Sequence, residues 1–421
     1  MKKLIASTGL VMLGAAGLHA ELFAPGYASA DGLQPWGVAA TLRGFYDNNY
    51  NTAPNQAQYD SAGQLVVPKK AGSYGLSIQP SVTGKYVTDT TDIGARYVFG
   101  MFWYEARPNN QEDFTHQFDI GLNHRFSPRY SLYLGDSFVI GQYPELLSPN
   151  TGDNTLYRSD GSNIRNTASA AFSAELTGPL SAQLSYNNTL VSYDQKGVNS
   201  YSALLDRMDH LIDLRLRYSF TTATIGTIGY KFQLVDFSSS DKIYYNGQLA
   251  NSDIRNSQAH YLYVGVDHTF NPDLTLAAEG GAIYNDSVNL DYSNWAPYAQ
   301  IALRYRYASG SYATLGFRQD FSVTDAITAQ TESSVVYAEV KHAITPKLQF
   351  GLNGSMQYRL YKGGPYNDDY TMYYTVGTQL AYFINRNFWT EVGYSYDIVD
   401  DHSYLWNYQR NRVYIGVSAR Y

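Results

Sequence analysis

The residues best equipped for chemistry do not form a recognisable reactive set. Seven histidines follow residue 20: His116, His124, His210, His260, His268, His342 and His402. None stands at a metal-ligand spacing. His116 and His124 share the apolar parity of one alternating segment, which points to an interfacial position rather than to ligation. Cysteine is absent, so thiol nucleophiles and thiolate metal sites are excluded. Neither a nucleophile elbow nor a phosphate-binding loop is present. A Ser/His/acid set that converges only in space is the one catalytic route left open. The expectation is no enzymatic activity, no catalytic residue, no metal and no cofactor.

Arginines and carboxylates are more informative because they recur at fixed parity. Arg43, Arg96, Asp213, Arg215, Arg217, Arg304, Arg306, Arg318, Glu339, Arg359 and Glu391 all oppose the apolar residues of their own segments. Lys231, Asp267, Glu279 and Asp320 do the same. Arg215 with Arg217, and Arg304 with Arg306, are candidate basic patches because each pair repeats on one face. Charges of both signs on one wall can set a field across a constriction. The plainer alternative is that they pair across strands and hold the wall. Tyr104, Tyr133, Tyr261, Tyr263, Tyr337 and Tyr373 fall on the same parity, suited either to stacking on sugar rings or to filling the wall. Acidic residues gather in the polar connections, among them Asp153, Asp160, Asp241, Asp253, Asp368 and Asp369. They make either a cation-attracting vestibule or ordinary solvated loops.

The elements that must position these residues are strands. The final stretch shows the pattern: Val413, Ile415, Val417, Ala419 and Tyr421 alternate with Tyr414, Gly416, Ser418 and Arg420. A period of two makes one face apolar and the other polar or small. Similar segments occur at 36–46, 93–104, 114–126, 180–191, 210–220, 261–270, 274–284, 348–360 and 372–384. Each is at least as long as the roughly 9–11 residues that a tilted membrane-crossing strand requires.

Two kinds of connection take turns. One is short and rich in turn formers, as in Ser127-Pro128-Arg129, Gly178-Pro179, Asn271-Pro272-Asp273 and Thr345-Pro346-Lys347. The other is mostly longer and polar, as at 48–71, 142–165, 193–207, 238–256 and 362–369. Short turns alternating with long loops predict an all-β fold, an antiparallel up-and-down transmembrane β-barrel of about 18 strands, with roughly 16–20 as the open range. The last strand should pair with 36–46 to close it. Pro80 interrupts one segment and is expected at a bulge or a late strand start.

A secreted β-sandwich or propeller would also alternate. Three features favour the membrane: charges and glutamines on the face that a soluble core would bury, the order of the last residues, and rings near segment ends. Those rings include Trp36 and Tyr46, Trp103 and Tyr104, Phe388 and Trp389. Residues 1–20 read as a signal peptide, with Lys2 and Lys3 ahead of an apolar stretch and Ala20 before Glu21. Residues 21–35 are then a short periplasmic lead and 36–421 the barrel. Losing two lysines makes the remainder more acidic than the whole chain's net charge of -7, which argues against a nucleic-acid partner.

The ending, polar–x–Gly–x–x–apolar–x–aromatic at Tyr414, Gly416, Ala419 and Tyr421, resembles the assembly signal of bacterial outer-membrane proteins. The resemblance implies the barrel insertion machinery as a partner and the cell outer membrane, with its lipid, as the location. The opening Trp-Gly-Val-Ala-Ala-Thr-Leu-Arg-Gly-Phe-Tyr-Asp-Asn-Asn-Tyr at 36–50 and the Ile-Gln-Pro-Ser-Val at 78–82 resemble the type-2 family of beta-barrel porins. That resemblance implies a channel for passive diffusion of small hydrophilic solutes. Related barrels are associated with exopolysaccharide export, so polysaccharide is the alternative cargo, and a structural or adhesive surface barrel is a third reading. By family analogy barrels of this size commonly form trimers, so the resemblance leaves a homotrimer open as the assembly.

Overall fold

A computed structural model describes residues 35–59, 65–141, 162–324, 326–402 and 407–421. The predicted signal peptide, nearly all of the predicted lead, and Asp153 and Asp160 lie outside the described residues. The chain begins with β1 (Trp36–Asp47), β2 (Gln58–Tyr59), β3 (Leu65–Val67), β4 (Ser73–Val87) and β5 (Thr91–Tyr104). It continues through β6 (Glu112–Ser127), β7 (Tyr130–Gly141), β8 (Asn163–Glu175), β9 (Leu180–Tyr193), β10 (Arg207–Ser219) and β11 (Thr224–Phe237). Next come β12 (Lys242–Tyr245), β13 (Gln248–Asn251), β14 (Ser257–Asn271), β15 (Leu274–Ser287), β16 (Tyr292–Ala308) and β17 (Ser311–Phe321). The last five are β18 (Gln330–Thr345), β19 (Leu348–Lys362), β20 (Tyr370–Phe383), β21 (Phe388–Asp401) and β22 (Tyr408–Arg420). Two small hairpins, β2–β3 and β12–β13, stand apart in the loops.

The other strands form one 18-stranded antiparallel sheet. β1 pairs with both β4 and β22, so no edge is left and the sheet is a closed barrel. The final strand meets the first as expected, with Leu42 opposite Val417 and Phe45 opposite Tyr414. The short turns are tied by side-chain oxygens. Asn271 Oδ1 accepts from the N–H groups of Asp273 and Leu274, and Asn385 Oδ1 from those of Asn387 and Phe388. Thr88, Thr221 and Thr345 hydroxyls play the same part in their turns.

The barrel is turned inside out relative to a soluble protein. Leu42, Val82, Leu262, Val264, Trp295, Ile415 and Tyr421 are exposed, while Arg43, Arg96, Arg359 and Glu391 are buried. That distribution suits hydrocarbon outside and a polar interior. Among the described residues no helix is long and apolar enough to cross a membrane; the strands do so instead. Adjacent rings cannot share a face, so Tyr104 and Trp389 leave the interfacial set, Tyr104 following the inward parity read for it above. Trp103 and Phe388 face outward, but Tyr104 and Trp389 turn into the barrel and are buried.

Pro80 also departs from expectation. β4 runs through it without a register shift, so there is neither a bulge nor a late start. Pro80 pairs with Ala40 on one side. On the other, the ladder to β5 stops at Ile78–Met101 and resumes at Ser81–Val98. The missing N–H thus costs a local gap in one ladder, and the ring faces outward.

Two outward residues, Asp136 and Asn166, interrupt the apolar band together. Asp136 lies opposite Ile120, the residue midway between His116 and His124 on β6. Its carboxylate accepts from Asn166 Nδ2 at 2.9 and 3.1 Å. Asp136→Leu is expected to stabilise the barrel by about 1–2 kcal/mol, since a polar group at that depth is costly in lipid. Guanidinium unfolding in vesicles checks it. A loss of stability would mean that the hydrogen bonds from Asn166 outweigh the cost of the carboxylate at that depth.

Candidate functional site: the inner wall

The site is the lumen wall, assembled by alternation and cross-strand register. Its densest part spans β10, β11, β14, β15 and β16. One row runs Arg215, Gly229, Tyr263, Gly281, Tyr298 across these five strands. Large side chains alternate with glycine, so each ring can lie flat over its neighbour's backbone. A Cβ on Gly229 would sit 2.1 Å from Tyr263 Cζ. Tyr337 lies over Gly316, and Tyr414 over Gly393, in the same way.

A charge network fills the space those rings leave. Arg215 donates from Nε to Asp213 at 2.7 Å and from Nη1 to Glu279 at 2.9 Å. Tyr263 donates to the other Asp213 oxygen at 2.7 Å, and Tyr298 to Glu279 at 2.7 Å. Lys231 donates to the Tyr298 hydroxyl at 2.5 Å and lies 3.6 Å from Glu279. Its ammonium also sits over the Tyr263 and Tyr298 rings, 4.7 and 4.4 Å from their centroids. Just beyond, Arg318 donates to Asp320 at 3.1 Å, and Tyr261 donates to the other Asp320 oxygen.

The remaining candidates occupy separate stations. Arg43 of β1 and Glu391 of β21 bridge across β22 at 2.6 Å. Gly416 stands between them in register, and a Cβ there would come within 2.7 Å of Arg43 Cγ. The Gly416 of the C-terminal signature therefore has a local steric reason. Ala419 and Tyr421 face outward, and Tyr421 meets Trp36 ring to ring at 5.8 Å across the seam. Arg96 pairs with Asp119, and Arg217 with Asp267 at 2.5 Å. Glu339 accepts from Tyr312 at 2.6 Å, while Arg304 lies 4.7 Å over the Tyr312 ring. Arg359 is fully buried beside Tyr373. Arg306 is exposed at a short turn, donating to the Pro272 carbonyl.

Neither expected basic patch is a simple one. Arg215 and Arg217 each meet a carboxylate, and Arg304 and Arg306 take different partners. Several wall residues carry no signal as a site when read singly. Asp47 at the outer end of β1 holds Arg410 at 2.5 Å and Arg412 at 3.3 Å. Tyr298 sits at the centre of the network. The parity of Asp47 with Arg43, and of Tyr298 with Arg304, was the one available clue.

At the long-loop end of the barrel, loops pack onto inward wall residues. A short helix, Tyr201–Leu205, packs on the inward residues Val191 and Tyr193 of β9. Ile243 of β12, Ile254 and Ile327 complete the apolar cluster. Arg255 ties three loops together, donating to the carbonyls of Leu204 at 2.6 Å and Thr324 at 2.5 Å. Burial pushes the Tyr245 phenol in the β12–β13 hairpin above its ordinary value. Among the described residues no group of three or more His, Cys, Asp or Glu could hold a metal.

Fold and wall together define an 18-stranded transmembrane β-barrel, apolar outside and charged within. Residues 306–421 match the family model described as "Putative beta-barrel porin 2". No curated protein matches the chain. Solved structures with a similar barrel include a BenF-like porin from Pseudomonas fluorescens Pf-5, at 11% identity and TM-score 0.46, covering 92% of this chain and 100% of that one. Pseudomonas aeruginosa OccK2 (OpdF), in complex with glucuronate, is 11% identical at TM-score 0.46, covering 91% of this chain and 98% of its own. Acinetobacter baumannii OccAB4 is 12% identical at TM-score 0.45, covering 92% and 99%.

Proposed function

We propose that this protein is an outer-membrane channel that passes small hydrophilic solutes down their gradients. The observation that carries the reading is the inverted wall: side chains costly in lipid are gathered on one inner surface, and apolar ones on the outer. Charges of the wall such as Arg43–Glu391, Arg96–Asp119 and Arg215–Glu279 are held in fixed pairs that can orient an ionic or hydroxyl-bearing solute in transit. On this reading, residues 1–20 serve export and are removed, residues 21–35 stay as a short periplasmic lead, and the Tyr414–Gly416–Ala419–Tyr421 signature is read by the insertion machinery.

Purified protein in a planar bilayer should give discrete conductance steps, and none at any voltage would overturn the proposal. The helix-bearing loop should limit that conductance. Replacing residues 200–205 with a Gly-Ser linker is expected to raise single-channel conductance severalfold, because it removes Leu204 and Leu205 from the mouth. Unchanged conductance would place the narrowest passage elsewhere.

A further inference from the structure

Of the seven described histidines, all but His402 stand on the outward face, and they are built alike. His116, His210 and His260 lie toward the long-loop ends of β6, β10 and β14. His124, His268 and His342 lie toward the short-turn ends of β6, β14 and β18. In every case Nδ1 meets a hydroxyl of the wall. The partners of the first three are Tyr97, Tyr186 and Tyr230, at 2.8, 2.7 and 2.7 Å. Those of the second three are Thr91, Thr224 and Tyr307, at 2.9, 2.8 and 3.1 Å.

These bonds select a tautomer. Asn188 Nδ2 also approaches His210 Nδ1 at 3.3 Å, and an amide nitrogen only donates. Nδ1 is then the acceptor and Nε2 carries the hydrogen. The same tautomer lets the hydroxyl donate in the other five, with Tyr307 sharing its one hydrogen between His342 Nδ1 at 3.1 Å and the Lys341 carbonyl at 3.4 Å. Nε2 has no partner in any of the six among the described residues, so each imidazole offers one N–H to its surroundings.

Their depth indicates what those surroundings are. On β6 the two histidines are eight residues apart, and on β14 the spacing is again eight. The outward residues between them are Phe118, Ile120 and Leu122 on one strand, and Leu262, Val264 and Val266 on the other. Eight residues extend about 26 Å along a strand. At the usual tilt this is about 20 Å across the bilayer, close to the apolar band of such barrels. One histidine of each pair thus reaches each boundary of the hydrocarbon. An N–H left unpaired in hydrocarbon is costly, whereas at the boundary phosphate oxygens are at hand.

We propose that the six imidazoles form two girdles that donate hydrogen bonds to the phosphate groups of membrane lipid, one girdle at each boundary of the hydrocarbon. The inference goes beyond solute passage and rests only on the barrel lying in a membrane, which flotation with vesicles reports separately. The test is native mass spectrometry of the purified protein in neutral detergent, with dioleoylphosphatidylglycerol as the probe. A variant with all six histidines changed to Phe keeps rings in place but removes the donors. It should retain phospholipid about tenfold less well than wild type, as expected for losing hydrogen bonds to a charged group. The six-fold His→Gln variant keeps an N–H at each site and should retain the lipid. Dioleoylglycerol, with the same chains and no phosphate, should bind weakly to all three proteins. Equal retention by the Phe variant, or equal binding of dioleoylglycerol by wild type, would overturn the proposal. Displacement of the phospholipid by inorganic phosphate would instead identify a free-anion site and overturn the lipid assignment.

Discussion

Gly229→Val is expected to prevent most of the chain from reaching its folded barrel. A Cβ at this position would lie 2.1 Å from Tyr263 Cζ and 2.3 Å from its hydroxyl oxygen. The ring cannot simply swing away, because its hydroxyl is bonded to Asp213 and its face supports the Lys231 ammonium. Overpacking of this kind costs about 1–3 kcal/mol, and valine adds two methyl groups to the same space. Release of Tyr263 also takes a partner from Asp213. Gly316→Val, against Tyr337, should behave similarly, with a Cβ 2.1 Å from the ring. The measurement is the fraction of protein that keeps its compact, heat-modifiable band on unboiled gels after refolding into detergent. Gly94→Ala is the control, since nothing lies within 4 Å of its Cβ position. Wild-type folding yield in Gly229→Val would show that the ring is free to move and that the Tyr–Gly pairing is not structural.

Such pairs also explain how much of this molecule could be read in advance. Strand positions, the alternation of turn and loop, the seam between β1 and β22 and the faces of Arg43, Arg215 and Glu391 all follow from a period of two. That signal is local, so one chain is enough to see it. Partnership across strands depends on register, which the period leaves open. Asp213 meets Lys231 opposite and Arg215 on its own strand, yet the Glu279 that completes the network is supplied by β15. No feature of 274–287 taken alone selects it. The inward packing of Tyr201–Leu205 escaped for another reason. Its apolar residues are too few to show a helical period, and they gain meaning only once Val191 and Tyr193 are seen to face them. Asp136 is the converse, visible as a break in alternation but without meaning until its depth is known.

Glu279→Ala is expected to change both stability and ion preference, because one carboxylate serves three partners. Arg215 would keep Asp213 and the Tyr263 ring face, Lys231 would keep the Tyr298 hydroxyl and two ring faces, and Tyr298 would lose its 2.7 Å acceptor and keep the weaker one, Gln300 Oε1 at 3.5 Å. Removing one side of a buried charge pair costs about 3–5 kcal/mol in a dry interior. The side chains of Arg215, Lys231 and Glu279 are 18%, 10% and 16% exposed, so water reaches them little and the lower end of that range, about 3 kcal/mol, is expected. Guanidinium unfolding in vesicles would measure it. Glu279→Gln keeps the shape and an acceptor for Tyr298, and should cost less. Both variants remove a negative charge from the wall beside Arg215 and Lys231, so both should move the reversal potential in a salt gradient toward anion preference. The two readouts separate two roles. A stability loss without a selectivity shift would make the network a brace for β10 to β16, set away from the path of the ions. A selectivity shift in both variants, with little destabilisation in Glu279→Gln, would place the network on that path. Neither effect in Glu279→Ala would mean that the charges are hydrated independently and that the pairing does not govern the wall.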